Sequence, residues 1–384
     1  VSGVLFSANA MTKTGKRRLA RLLGVILLLA LFYGAGELFV RLVFRDKIVL
    51  FPRFHEEAQY GPFTLRRLRP NTTFYHRSVD GSWRFQINAQ GFRDTHDYAY
   101  DKEPGVRRVL CLGDSHTQGF ECAQSNTYAQ VLEQAAAARR LPLEVFNAGI
   151  SGFGTAEQLI FLEQEGLKYR PDYVVLGFYA NDLDDNAKCG LFGLQDGQLV
   201  TNKMAHIPGV RVLRPFQNFP VTRWLSQHSY LYSLVMNNIW VFMKNRLSRQ
   251  AAEAAPVEYT VGMTNQWAAA RQYQEKLTAA LLQRMGQTCR NHGIKLIVVE
   301  IPNRTGPASF EPSLPPALRE VAVASADTVL WSTNLFGNLP DRSVIFRPHG
   351  QWHLTEKAHS LIGEALAGLI LPQITPPPTR AGAP

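Results

Sequence analysis

The sequence predicts an α/β fold in three layers, αβα, around a central parallel sheet of about five strands. Two observations carry this. Near-continuous apolar runs stand at 108–112, 143–147, 173–178 and 294–301, with a fifth near 329–331, and helical patterns separate them at 127–140, 156–168, 265–291 and 355–369. Strands apolar on both faces that alternate with amphipathic helices belong in a parallel sheet covered on both sides. The length from 107 to 371 suits one domain carrying an insertion.

The N-terminal part reads differently. Residues 1–10 lack charge and precede Met11, as an overextended start or a loose tail would. Nineteen residues, Leu22 to Val40, then run apolar but for Glu37. At about 1.5 Å per residue they reach roughly 28 Å, close to the hydrocarbon thickness of a bilayer. The flank Lys13, Lys16, Arg17, Arg18 and Arg21 is denser in charge than Arg41, Arg45 and Lys47 on the far side. This predicts a cytoplasmic segment 1–21, a single transmembrane helix over 22–43 in the inner (cytoplasmic) membrane, and an exported remainder. Glu37, within a turn of the outer boundary, is placed to reach headgroup water or Arg41. A cleaved signal peptide is the alternative, with Gly34-Ala35-Gly36 as its small-residue site.

A small β-rich lead-in is expected over 44–106, packed on the main domain or laid over its functional edge. Within it, 72–88 reads as a hairpin turning at Asp80-Gly81, flanked by β-branched and aromatic residues. The insertion spans about 183–264 and holds an apolar-aromatic helix candidate at 230–243. That helix is expected to pack as core or cap; a lid, or an element resting on a membrane surface, is the other reading. The proline-rich tail 372–384 reads as disordered. There is no internal repeat.

Of the formal net charge of +10, +6 falls within residues 1–47, so only about +4 remains elsewhere. That is no clustered basic face for nucleic acid, though it is compatible with anionic lipid or an acidic glycan. Four cysteines in 384 residues do not make a disulfide scaffold. Cys111 reads as a buried thiol, while Cys122 and Cys189 are candidates to pair in an oxidising compartment.

Four segments carry chemistry. The strand from Val109 ends in Gly113-Asp114-Ser115, and Gly119 follows; a serine there has its hydroxyl at the sheet's ligand-binding edge. Phe146-Asn147-Ala148-Gly149 ends a second strand, and Tyr179-Ala180-Asn181-Asp182 a third. His349-Gly350-Gln351-Trp352-His353 precedes the last helix. Asp114 and Asp182 read as turn-fixing residues bonded to local backbone, and His116 as a bystander on the turn.

In this order the four segments resemble the sequence blocks of the SGNH (GDSL-like) hydrolase family, over about 107–371. The resemblance implies a flavodoxin-like arrangement of the three layers and serine-based ester chemistry. It implies Ser115 as nucleophile, His353 as general base, and an oxyanion hole from the backbone N–H groups of Ser115 and Gly149 and the side-chain amide of Asn181. No cofactor is implied. No metal is expected either, since His349 and His353 lack an accompanying cysteine or carboxylate at ligand spacing.

Two departures stand out. Tyr179 occupies a position that is usually glycine, and the aspartate usual three residues before the histidine is Gly350, with Gln351 next to it. Three explanations stay open. A backbone carbonyl could hold the His353 ring, a carboxylate from elsewhere could substitute, with Glu300 or Asp341 as candidates, or the site is degraded. The expected function is therefore an exported esterase acting on acyl, foremost acetyl, groups of envelope or secreted polysaccharide, or on small esters. An O-acyltransferase with the same acyl-serine chemistry, or a non-catalytic glycan-binding or assembly protein, are the alternatives. Oligomeric state is not legible.

Overall fold

The computed structural model describes residues 13–376 except 51, 53, 255, 257, 258, 260–264 and 350. It opens on helix α1 (Lys13–Val43), followed by strands β1 (His55–Tyr60), β2 (Phe63–Leu68), β3 (Thr72–Ser78) and β4 (Gly81–Ile87). Next come β5 (Arg107–Gly113), the short α2 (Ser115–Gln118), α3 (Tyr128–Ala138), β6 (Leu143–Asn147), α4 (Thr155–Gln164), β7 (Tyr173–Phe178) and α5 (Asp182–Cys189). A stretch of β8 (Phe192–Gln195), β9 (Gln198–Thr201), β10 (Ala205–His206), α6 (Val210–Asn218), α7 (Pro220–His228) and α8 (Tyr230–Glu253) intervenes. The chain resumes with α9 (Gln266–Asn291), β11 (Lys295–Glu300), β12 (Asn303–Gly306), β13 (Ser309–Glu311) and α10 (Pro316–Ser325). It finishes with β14 (Thr328–Leu330), α11 (Ser332–Phe336) and α12 (Glu356–Ile370).

The central sheet has five strands, all parallel, in the order β14-β11-β7-β5-β6. By chain order this is 2-1-3-4-5, the flavodoxin-like order, and its reversal falls at β5. Alternation along β5 explains the two outer layers. Val109 and Cys111 turn toward α3 and α12 with Leu132 and Leu366, while Leu110 and Leu112 turn toward α4 and α9 with Leu159 and Leu281. Each fully buried aliphatic side chain of this kind contributes roughly 1.5–3 kcal/mol. Thr127, Asn265 and Thr355 cap α3, α9 and α12, accepting from the N–H groups of Gln130, Ala268 and Ala358, at about 1 kcal/mol each.

The lead-in forms two small sheets. β2 pairs with β1 antiparallel and with β10 parallel, and β3 pairs with β4. The hairpin turns one residue earlier than the sequence suggested: Ser78 pairs with Gly81, leaving Val79-Asp80 as the loop. Gly81 serves packing instead, since a Cβ there would stand 2.8 Å from the Trp83 ring. Phe74, Trp83 and Phe85 of this hairpin share a buried cluster with Phe54 and with Phe120, on the loop after α2.

Other expectations need correction. Cys122 and Cys189 do not pair; all four cysteines are free and buried, with burial raising the Cys122 thiol to about 12. α8 is not a core helix, because only Ser233 and Ala252 along it are buried. The tail begins later than expected, since Leu371 and Ile374 are buried, whereas 377–384 and 1–10 lie outside the described residues. Among the described residues α1 is the one helix long and apolar enough to cross a membrane.

The lead-in is fastened to the main sheet by Arg93, which is fully buried. Its guanidinium lies 3.6 Å from the Phe85 ring centroid and donates to the carbonyls of Gln118 (2.8 Å), Gly119 and Cys122 (2.8 Å). Leaving buried carbonyls without donors costs about 1–3 kcal/mol each. Arg93→Ala is therefore expected to lower unfolding stability by about 3 kcal/mol or more, read as a lower urea midpoint, and to loosen the loop after α2 before the sheet unfolds.

Candidate active site

The end of β5 is shaped by close backbone approach. Gly113 has φ 155°, and a Cβ there would collide with the Thr117 hydroxyl. Asp114 then caps α2, accepting from the N–H of His116 at 2.8 Å. Burial raises its carboxyl to about 6, against the lowering effect of that bond. Asp114 thus fixes the turn as expected. Asp182 instead accepts from the Thr155 hydroxyl across to α4 at 3.1 Å, and its burial pushes its carboxyl well above the ordinary carboxylate range. In the buried run from Leu110 to Cys122, Ser115 is the residue left partly exposed.

The C-terminal loop delivers the second group. An isolated bridge between Phe346 and Leu354, with the Arg347 N–H donating to the His353 carbonyl at 2.8 Å, closes the loop on itself. Its far end is held by the lead-in hairpin, whose Asp80 accepts from the His349 N–H at 2.9 Å and lies 2.7 Å from its Nδ1. His349 is thus paired away from His353. His353 is left with Nε2 2.9 Å from the Ser115 Oγ. Residues 238 apart in the chain meet within proton-passing distance.

The carboxylate on the other ring nitrogen comes from Glu121. Its Oε2 lies 3.3 Å from His353 Nδ1 and 3.4 Å from the His353 backbone nitrogen. Glu121 is fully buried at φ 56°, a left-handed conformation that costs a non-glycine residue about 1–2 kcal/mol. Arg347 holds it there, donating to its carbonyl at 2.9 Å while pairing with Glu356 and covering the Trp83 ring. Burial pushes the Glu121 carboxyl up, but the His353 bond and charge, with His76 and Ser78, carry it below the ordinary value. It stands as a carboxylate against the imidazole.

Neither sequence candidate for that position is near it. Glu300 is buried at the end of β11, where it accepts from the N–H groups of Leu314 and Ser332 at 3.0 Å each and from the Ser332 hydroxyl at 2.6 Å. Its oxygens tie loops to the sheet. Asp341 is exposed and caps a helical turn through the Ser343 N–H at 2.8 Å. Glu121 follows no spacing rule relative to His353; its only signal is that it is the lone acid in the otherwise uncharged turn Gly119-Phe120-Glu121-Cys122.

The expected oxyanion donors flank the same turn. Gly149 packs so closely that a Cβ would strike the Gln118 backbone nitrogen. Its N–H is engaged with Asn147 Oδ1 at 3.2 Å, and Asn181 Nδ2 donates to Asp114 at 3.3 Å and Asp185 at 3.1 Å. An oxyanion would have to take these donors from internal acceptors, two of them carboxyl groups, at long distances of 3.1–3.3 Å. Tyr179 fills the space that glycine would leave, its ring 4.3 Å from that of His116 and its hydroxyl 3.3 Å from Asn303. Burial and the neighbouring His353 hold His116 neutral, well below the usual histidine range.

This geometry sits on a recognisable sequence. Residues 111–361 match the GDSL-like lipase/acylhydrolase family. The chain belongs to that family. Among solved structures, it is similar to the lipase/acylhydrolase from Enterococcus faecalis at 17% identity, covering 71% of this chain and 100% of that one, with a TM-score of 0.40. TesA matches at 16% identity over 69% of this chain and 99% of its own, with a TM-score of 0.35. A two-domain esterase active on acetylated mannans matches at 12% identity over 73% of this chain and 52% of its own, with a TM-score of 0.36. No curated protein matches the chain.

If Glu121 orients the imidazole, Glu121→Gln is expected to lower kcat on a small activated ester by about 10²–10⁴-fold at nearly unchanged KM, in line with the loss of the analogous carboxylate in serine proteases. Asp341→Asn, assayed beside it, should leave kcat within about twofold, because its side chain only caps a surface turn.

Proposed function

We propose that the protein is an exported, membrane-anchored serine esterase that removes acyl groups, foremost acetyl, from envelope or secreted glycan. The observation that carries this is the unbroken relay Ser115–His353–Glu121, with a hydroxyl on one ring nitrogen and a carboxylate on the other. In this reading Ser115 Oγ attacks the ester carbonyl as His353 Nε2 takes its proton. Glu121 stabilises the imidazolium, and the N–H groups of Ser115 and Gly149 with the Asn181 amide receive the oxyanion. The imidazolium returns the proton to the leaving alcohol, and the acyl group stays on Ser115. Water, deprotonated by the same nitrogen, then releases the acid.

A glycan as the alcohol portion is supported by Trp352. It adjoins His353, is 55% exposed, and is held at φ 60° with the Arg304 guanidinium 4.8 Å from its ring. An exposed aromatic ring one residue before the histidine offers the negative quadrupole that sugar C–H groups stack on. The basic flank of α1 supports a cytoplasmic N-terminus and a site on the far side of the membrane. The ground for a non-catalytic binder was the missing acid before His353, and Glu121 weakens it.

Labelling by a fluorophosphonate probe tests the reading. Wild-type protein is expected to label and Ser115→Ala to label at background, with acetate released from an acetylated oligosaccharide by wild type only. Folded protein that neither labels nor releases acetate would favour the binder. Acetyl appearing on an added glycan acceptor in place of free acetate would make the chemistry transfer.

A further inference from the structure

The segment between Asp196 and Glu253 plays no part in the relay, and its composition is unusual. It contains seven lysines and arginines and no carboxylate. It also exposes large apolar side chains close together: Phe216 at 51%, Phe219 at 65%, Val221 at 68% and Trp224 at 58%. Val221, Trp224 and His228 recur at helical spacing, so they share one face of α7, and Trp224 stacks on His228 at 4.9 Å. α7 is tied to the lead-in through Gln227, whose side chain accepts from the Tyr75 N–H at 3.4 Å and whose backbone carbonyl accepts from Arg77 at 2.7 Å. Large apolar side chains left this exposed along neighbouring helices point to a contact surface.

What covers it follows from where it is tied. Arg41, near the end of α1, donates to the His228 carbonyl at 2.6 Å. Glu37, the one charge in the apolar run, accepts from the Ser229 hydroxyl at 2.7 Å and from the N–H groups of Tyr230 and Leu231 at 2.9 and 2.8 Å. It thereby caps α8 from another helix, where a carboxylate meets unpaired N–H groups and the positive end of the dipole. Tyr33 reaches Ser229 at 2.5 Å, and Gly36 lets Leu231 approach. The α7–α8 corner is therefore locked to the last turns of the apolar helix. Trp224 lies one helical turn, roughly 6 Å, before that corner.

We infer that the face formed by Phe216, Phe219, Val221 and Trp224 lies in the headgroup region of the bilayer leaflet from which α1 emerges, and that anionic phospholipid holds it there. A basic, aromatic, amphipathic pair of short helices has the composition of an interfacial element, and tryptophan favours that depth. The patch is continuous with the spanning helix, and of the basic residues in its segment Arg211 and Lys244 pair with carboxylates of neighbouring elements while Arg223 lies over the Phe54 ring; continuity with the helix is the feature that fits lipid. The inference rests on α1 spanning a membrane. It also fixes orientation, because α7 carries β3, and the β3–β4 turn holds the loop of His353.

The test uses full-length protein in mixed phosphatidylcholine and phosphatidylglycerol vesicles, with shallow brominated acyl chains as quenchers of tryptophan emission. α1 contains no tryptophan, so its insertion adds no signal. Wild-type emission should fall on brominated lipid. Trp224→Phe should lose that component, and Val221→Asp with Phe219→Asp should reduce it. Hydrolysis of a soluble ester in detergent should stay unchanged in these variants. Phosphatidylglycerol-free vesicles should weaken the quenching. Protein that floats with vesicles but shows the same quenching in Trp224→Phe as in wild type would overturn the inference while leaving the anchor intact, and would point to a protein partner for this face. Protein that fails to float would remove the anchor and the inference together, leaving the esterase assay unaffected.

Discussion

The buried loop from Gly119 to Cys122 is the constraint on which the site depends. It carries a carboxylate in a left-handed backbone conformation that would relax if free. Two arginines prevent this. Arg93 gathers the carbonyls of Gln118, Gly119 and Cys122, and Arg347 takes that of Glu121. Both also lie on aromatic rings of the lead-in hairpin, Phe85 and Trp83. The small β-rich segment before the main sheet is thus part of the scaffold of the reaction centre, through charge-assisted hydrogen bonds worth more than neutral ones.

The electrostatics are consistent with this. A buried carboxylate is costly unless donors or a cation compensate it. Glu121 has His353, and its carboxyl stays below the ordinary value despite burial. Asp182 and Glu157, equally buried but without a histidine in hydrogen-bonding contact, are raised, Glu157 to about 8. The same cost of desolvation, offset at Glu121 by its histidine, raises the acids elsewhere.

Much of this was readable in the sequence. Apolar runs gave the strands of the central sheet to within a residue or two, because strands buried on both faces leave an unmistakable pattern. Ser115 and His353 were legible as candidates from the ends of those elements. The acid was not. Which carboxylate meets His353 depends on how the Gly119–Cys122 loop turns and on two arginines 28 residues before and 226 after Glu121, neither of which is encoded in local spacing. Glu300 and Asp341 were reasonable by position and wrong by contact, since hydrogen-bonding demand from Ser332 and Ser343 claims them first. The insertion was hardest, because its helices are held by their ends and bury little.

Ser115 and Glu121 stand on one turn, six positions apart, whereas the imidazole arrives from residues 345–355. A swing of that single segment would sever both of the histidine's bonds at once and withdraw Arg347 from the Glu121 carbonyl with them. The machinery is therefore built like a plug and socket: the socket is moulded into the sheet, and the plug is one side chain on a closed loop.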